Sequence, residues 1–385
     1  MKKIVIYSPG WYPFLGGITT HVQQIIDCLP NYSFELVTNA VAEQKRQEKF
    51  QDNAYVIRIG PDDLTLAHPG HEKLPKYYYP YIVLANQIRI MRKIKYIKKS
   101  GADILHVHGP VMEPNSYHLD TKFHITMFSS SVKFSKIRCK KVLTCHGLAS
   151  HYNHSQEVRK IEKRLLNQFD KVICVDEYIY EDAKKMVENH DKLSFIPNSV
   201  DTAQFSFKEA EPKEKLTIGY IGRLSIEREF SLVEKLIARK PDNVKFSLII
   251  AGSDKKINEV KAKYSSPDIK ISANIMPVEL PKLIWEMDML LNPVSFEGSS
   301  RATLEAMSCG RPAIMLDIGN RHPVINMETG FLIKNDVNDL LALLEKINNN
   351  REILEEMSHK ARTIIENEYS NEVIIPKIKR IYDAL

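Results

Sequence analysis

The chain reads as an α/β protein built from two successive doubly wound parallel sheets, and three observations predict this. Short apolar runs recur with helical stretches between them, the pattern of parallel strands joined by crossover helices. The alternation lapses once, over the polar, proline-containing stretch 199–215, which reads as a linker, and then restarts. The chain is 385 residues long, 43% hydrophobic and 26% charged, enough for two ordinary cores and too apolar for a disordered chain.

In chain order, KIVIYSP is a first strand, followed by a glycine-bearing loop and a helix around 20–29. FELVT, ADILHVHG, KKVLTCHG and KVICVD are further strands, several ending in Gly, His or Asp. IRIMRKIKYIKK lies in a helix whose apolar positions Leu84, Ile88, Met91, Ile94 and Ile97 predict one buried stripe under a basic outer face. After the linker, LTIGYIG, FSLIIAG, MLLNPV and PAIMLD are strands of the second sheet. From about 335 the chain is almost wholly helical, ending in VIIPKIKRIYDAL.

Bulk properties exclude several classes. No apolar run approaches the ~18 residues of a membrane span. MKK is followed by only IVIY, too short for a signal peptide, so a cytoplasmic protein is expected. The five cysteines (Cys28, Cys139, Cys145, Cys174, Cys309) are scattered, which predicts free thiols in a reducing compartment. Residues 1–200 hold 28 Lys and Arg against 20 Asp and Glu, whereas 201–385 hold 26 against 28. A basic first half suits an anionic acceptor or a membrane surface. No aromatic-basic module for nucleic acid is present.

Ligands of open parallel sheets sit outside the carboxyl ends of the strands, and two such domains imply a cleft between them. Candidate residues are therefore those that follow the apolar runs. Gly16 and Gly17 precede a helix and permit close backbone approach and positive φ, or form an ordinary strand-to-helix turn. They make neither G-x-G-x-x-G nor a P-loop. His106, His108 and His146 follow strands, and a histidine there either donates to a substrate or is satisfied within the fold. Cys139, Cys145, His146, His151 and His154 lie close in sequence but match no standard zinc spacing, and the paired acids Asp62-Asp63 and Glu286-x-Asp288 follow no strand end, so no metal is expected. Arg223 directly follows LTIGYIG, with Arg228 five residues on; two guanidiniums near a strand end suit a diphosphate, or are surface cations. In SFEGSSRATLEAMSCGRP, Ser299 and Ser300 are helix caps and Gly310 then Pro312 a stop. Glu297 falls before the helix start and Glu305 inside it, on either side of free amides that can hold an anion.

The ordered set GGITTHV, HVHG, LTCHG, IPNSVDTAQF, IGRL, FEGSSRATLEAMSCGRP and ETGFLI resembles glycosyltransferase family 4 over essentially the whole chain. Its Glu-x7-Glu element is the most specific piece. The resemblance implies the GT-B fold: two Rossmann-like domains facing a cleft, an acceptor domain over 1–200, a nucleotide-sugar domain over 201–365, and a helix at 366–385 crossing back to the first. It implies a retaining hexosyltransferase, metal-independent and without a cofactor, that uses a UDP- or GDP-sugar and a small-molecule, glycan or lipid-linked acceptor. It places Gly16 and Gly17 near the diphosphate and His146 near the donor sugar. Arg223 and Arg228 would meet the diphosphate, Glu297 the transferred sugar and Glu305 the ribose. The amides of Gly298, Ser299 and Ser300 would line the pocket. A sugar-nucleotide epimerase or a non-catalytic binding subunit would share the fold.

The chain departs from the family pattern in places. Arg228-Glu229 replaces a usual Lys-Gly, and Gly298-Ser299-Ser300-Arg301 a usual run beginning Gly-Phe-Gly. Gly319-Asn320 stands for Gly-Gly, Pro323 for a common glutamate and Ser199 for a common glycine. Arg301 is an added cation that would favour an acidic or acylated donor sugar.

Overall fold

The structure is a computed structural model. It describes every residue except Pro9, 14–15, 62–78, 110–133, 152–155, 224–229, Lys240, Ser253 and 295–299, and it leaves out the side chains of 79, 80, 82, 83, 86 and 223. The chain divides into two compact units, Met1–Pro197 with Ile375–Leu385, and Asn198–Ile374. The last helix, Asn371–Ala384, begins in the second and ends in the first.

The first unit is built on eight strands: β1 (Lys3–Tyr7), β2 (Ser33–Asn39), β3 (Gln47–Gln51), β4 (Ala54–Ile59), β5 (Ile104–His108), β6 (Lys140–Cys145), β7 (Lys171–Cys174) and β8 (Leu193–Phe195). Their order is β3-β4-β2-β1-β5-β6-β7-β8, parallel apart from the β3–β4 pair. The second unit carries β9 (Leu216–Arg223), β10 (Val244–Ala251), β11 (Ile269–Ala273), β12 (Met289–Asn292), β13 (Ala313–Leu316) and β14 (Gly330–Ile333). Their order is β11-β10-β9-β12-β13-β14. In each sheet the winding reverses beside the first strand, between β1 and β5 and between β9 and β12. Ligand crevices of doubly wound sheets open at that reversal. Tyr7 and His108 end the strands at the first reversal, Arg223 and Asn292 those at the second.

Central strands read as near-continuous apolar runs because both faces are covered. Ile4, Val5 and Ile6 are all fully buried, as are Leu248 and Ile314. Each such side chain contributes about 1.5–3 kcal/mol. The helix Gly17–Cys28 covers one face through Val22, Ile25 and Ile26, spaced at three and four residues. The nine runs read as strands are strands. β3, β4, β8, β11 and β14 went unread: β8 is three residues long, and β3 and β11 have no buried position.

Two expectations are corrected. The stretch after Ser199 is stitched to the second unit rather than free. Ser199, Val200 and Phe205 are buried, Arg362 donates to the Thr202 and Phe205 carbonyls, and Trp285 Nε1 donates to that of Ser206. In the helix Tyr79–Lys99, Leu84 and Met91 are 60% and 53% exposed, and the buried arc carries Ala85, Arg89, Ile90, Lys93, Ile94 and Ile97. Two cations therefore point inward. Arg89 Nε donates to the Pro61 carbonyl at 3.1 Å. Lys93 Nζ donates to Asn39 Oδ1 and lies 4.7 Å over the Tyr7 ring.

Candidate active site

In the first unit, period-two geometry gathers imidazoles on one face of the sheet. Successive strand residues alternate faces, so His106 and His108 share one, and β5 pairs with β6 so that His108 lies beside Thr144. His146 follows two residues after Thr144. Val107, Leu143 and Cys145 take the other face and join the core. His106 is fully occupied, with Nδ1 bonded to the Tyr382 hydroxyl at 2.5 Å and Nε2 to Thr144 Oγ1 at 2.7 Å. Burial holds it neutral, with its pKa lowered to about 3. His108 is likewise pushed well below the ordinary imidazole value, by burial first and the neighbouring histidines second.

His21, from the first helix, completes a group with His108 and His146 whose ligand-capable nitrogens all lie within 4.8 Å of one another. Among the described residues this is the group able to hold a metal ion. It differs from the cysteine–histidine set weighed on sequence: His151 pairs with Asp182 at 2.9 Å and stacks on Tyr178, and His154 lies outside the described residues. The turn after His146 is fixed by two buried groups. The Cys145 thiol, kept protonated by burial, donates to the Gly147 carbonyl at 3.1 Å. Glu162 accepts from the amides of Ala149 and Ser150. Gly16 precedes the first helix in extended backbone, φ 176°, which any residue adopts, so the positive φ anticipated there does not occur; Gly17 is the first helical residue.

In the second unit, Ser300 caps the helix Arg301–Ser308, its Oγ accepting from the Thr303 amide. Asn292, the last residue of β12, donates from Nδ2 to Ser300 Oγ at 2.5 Å and to Thr303 Oγ1 at 2.8 Å. This buried amide ties the helix start to the strand end, a link that sequence reasoning missed. Gly310, at φ 75°, ends the helix: its amide returns to the Met307 carbonyl and that of Arg311 to Ala306. Glu305 is 8% exposed, and burial raises its pKa to about 7 against the opposing pull of Arg301. Arg301 Nε lies 3.7 Å from the Glu305 carboxylate and Nη1 donates to the Ser199 carbonyl at 3.1 Å, so the added cation braces Glu305. Arg321 Nη2 holds the Val294 carbonyl at 3.0 Å, just before residues 295–299.

Arg223 closes β9, paired in register with Ala251. Its side chain lies outside the described residues, as do Arg228, Glu297, Gly298 and Ser299 entirely. All five cysteines are free thiols. Among the described residues no helix is long and apolar enough to cross a membrane.

Two Rossmann-like sheets, each with its marked residues at the carboxyl ends beside the switch point, define the GT-B class. Residues 15–204 match the family model Glycosyltransferase Family 4 and residues 201–364 the model Glycosyl transferases group 1. The chain belongs to this family and is a glycosyltransferase. It is 27% identical, over 99% of its length and 97% of the relative's, to the UDP-Gal:alpha-D-GlcNAc-diphosphoundecaprenol alpha-1,3-galactosyltransferase of Escherichia coli. In a second relative, the capsular polysaccharide biosynthesis glycosyltransferase CapM of Staphylococcus aureus, 26% identity extends over 44% of this chain and 47% of that one. Among solved structures, sucrose-phosphate synthase from Thermosynechococcus elongatus shares the fold over 100% of this chain and 99% of its own, with TM-score 0.78 and 16% identity. Anabaena HepE in complex with UDP-glucose does so over the full length of both, at 0.73 and 14%.

Proposed function

We propose that the protein is a retaining hexosyltransferase that moves a sugar from a nucleotide-diphosphate donor to a hydroxyl of a glycan, small-molecule or lipid-linked acceptor, without a metal. The first unit would take the acceptor and the second the donor. The observation that carries the reading is the capped helix start at Ser300, fixed by Asn292 at the switch point, with the Glu305 carboxylate one turn inside. The amides of a helix start suit a diphosphate, and a carboxylate suits a ribose diol. Relatives agree: the E. coli enzyme is named for a UDP-sugar and a diphosphoundecaprenol acceptor, and HepE was crystallised with UDP-glucose.

In such a transfer the bond from the anomeric carbon to the diphosphate breaks, and the acceptor hydroxyl enters on the same face. Negative charge gathers on the leaving phosphate while the ring becomes oxocarbenium-like. Arg223, Arg228 and the amides of Gly298, Ser299 and Ser300 would neutralise the first. Gly16 and Gly17 would admit the diphosphate closely, His146 would hold the donor sugar, and Glu297 the sugar being moved. The leaving phosphate can take the acceptor proton. Arg223→Ala and Glu297→Ala are each expected to cut turnover roughly 100-fold, the loss of about 2.7 kcal/mol of barrier, while leaving the unfolding midpoint in place. Near-wild-type rates for both, measured as nucleotide release with an acceptor present, would remove this chemistry from the site. Rates abolished by a chelator would overturn metal independence.

The helix Tyr79–Lys99 supports a working position against the inner face of a membrane. It contains no acidic residue, and Tyr81, Leu84 and Met91 are exposed on the same arc as Arg92, Lys95 and Lys99.

A further inference from the structure

We propose that His108 is a positioning residue that locks His146 in the tautomer carrying its proton on Nδ1, with Nε2 engaged, so that His146 does not serve the reaction as a base. This rests on the reading of His146 as the residue that meets the donor sugar. His108 is 1% exposed, and its Nε2 is buried without a hydrogen-bond partner among the described residues. Its other nitrogen, Nδ1, lies 3.4 Å from Nε2 of His146.

A neutral imidazole has one N–H and one lone pair, and the two placements differ in cost. With the proton on Nε2, a buried N–H would have no acceptor, the rarer and more costly defect in folded proteins. With the proton on Nδ1, the orphan atom is a lone pair, and the N–H points to His146. The doubly protonated ring is disfavoured by burial first and by the neighbouring imidazoles second, His106 at 4.1 Å between ring centroids and His21 at 5.5 Å. His108 therefore donates and His146 Nε2 accepts. A neutral His146 must then carry its own proton on Nδ1. Its Nε2 is committed within the fold and cannot take the proton of an acceptor hydroxyl. His21, edge-on to His146 at 5.1 Å and 85°, walls the ring on a further side.

The test is long-range proton–nitrogen NMR of the whole protein labelled with nitrogen-15 histidine, without substrate, at neutral pH. The His146 signals are assigned by their loss in His146→Gln. The expected result is a pyrrole-type Nδ1 and a pyridine-type Nε2 for His146. The reverse pattern, or two averaged nitrogens, overturns the proposal. So does a spectrum whose His21, His108 and His146 nitrogens all move when a chelator is added, which would show a metal held there. His108→Asn keeps an amide donor near the place of Nδ1, whereas His108→Leu removes it. Transfer is expected to fall about tenfold in kcat for His108→Leu, with KM for the donor little changed, and to recover to within about threefold in His108→Asn. Equal losses in both variants would also overturn it. Absence of sugar transfer with every donor would sink the proposed function and leave the nitrogen spectrum to decide the tautomer.

Discussion

At the scale of single residues, Glu305 carries two demands that oppose each other. A carboxylate for a ribose must be ionised, yet burial raises its pKa to about 7 from an ordinary 4.5, and Arg301 at 3.7 Å offsets only part of that. The folded state therefore holds this proton more tightly than the unfolded chain does. Stability from that preference is fully present below about pH 4.5 and is lost as pH rises through about 7. Glu305→Gln removes the dependence, so the variant should gain roughly 1–3 kcal/mol relative to wild type on going from pH 4.5 to 8. Urea unfolding of both proteins at the two pH values measures it, and a constant difference between them would refute the assignment. The local signal for this site was legible in part: SSRATLEAM announces a cap, a helix and an acid within it, but not that the acid is buried. The imidazole group was not, because His21, His108 and His146 belong to elements far apart in the chain, and spacing rules register neighbours in sequence. The trace that did exist is alternation, H-x-H on one strand and T-x-H on the next, which puts three imidazoles and a hydroxyl on one face once the two strands are known to pair.

At the scale of elements, the helix Tyr79–Lys99 shows where pattern reading fails. A stripe through Leu84, Ile88 and Met91 follows if every apolar residue goes inward and every cation outward. The fold instead accepts Arg89 and Lys93 into the buried arc, because the Pro61 carbonyl, the Asn39 amide oxygen and the Tyr7 ring wait for them. Those partners come from other elements, so nothing in the helix's own sequence announces them. Central strands were legible for the opposite reason: burial on both faces makes them apolar runs, whatever their partners. The rotation leaves Leu84 and Met91 outward, beside exposed cations, and gives the membrane reading its test. Binding to vesicles of anionic lipid is expected to exceed binding to neutral vesicles and to weaken as salt rises. Leu84→Ser with Met91→Ser should reduce it at least threefold, since each buries an apolar side chain in the interface. Equal binding to both vesicle types, or no effect of the pair, would dismiss the surface.

At the scale of the molecule, the chain's last residues complete its first unit. Tyr382 is fully buried against the first sheet, its hydroxyl bonded to His106 and its carbonyl to Lys2 Nζ at 2.8 Å. Tyr32 lies 5.6 Å from its ring and donates to Asp383. Ile375 and Ile378 are buried with it. Removing the ring leaves a cavity under β5 and an unsatisfied His106 nitrogen. Tyr382→Ala should therefore cost about 3–5 kcal/mol, and Tyr382→Phe, which strips only the hydroxyl, about 1–2. The chain's two tryptophans make the location of that loss readable, since Trp11 lies in the first unit and Trp285 in the second. In single-tryptophan versions, Trp285→Phe and Trp11→Phe, Tyr382→Ala should move the urea midpoint reported by Trp11 and leave that reported by Trp285 in place. A shift of both by the same amount would mean that the units unfold as one cooperative block. A shift confined to Trp285 would mean that the closing helix contributes its stability to the unit in which it begins.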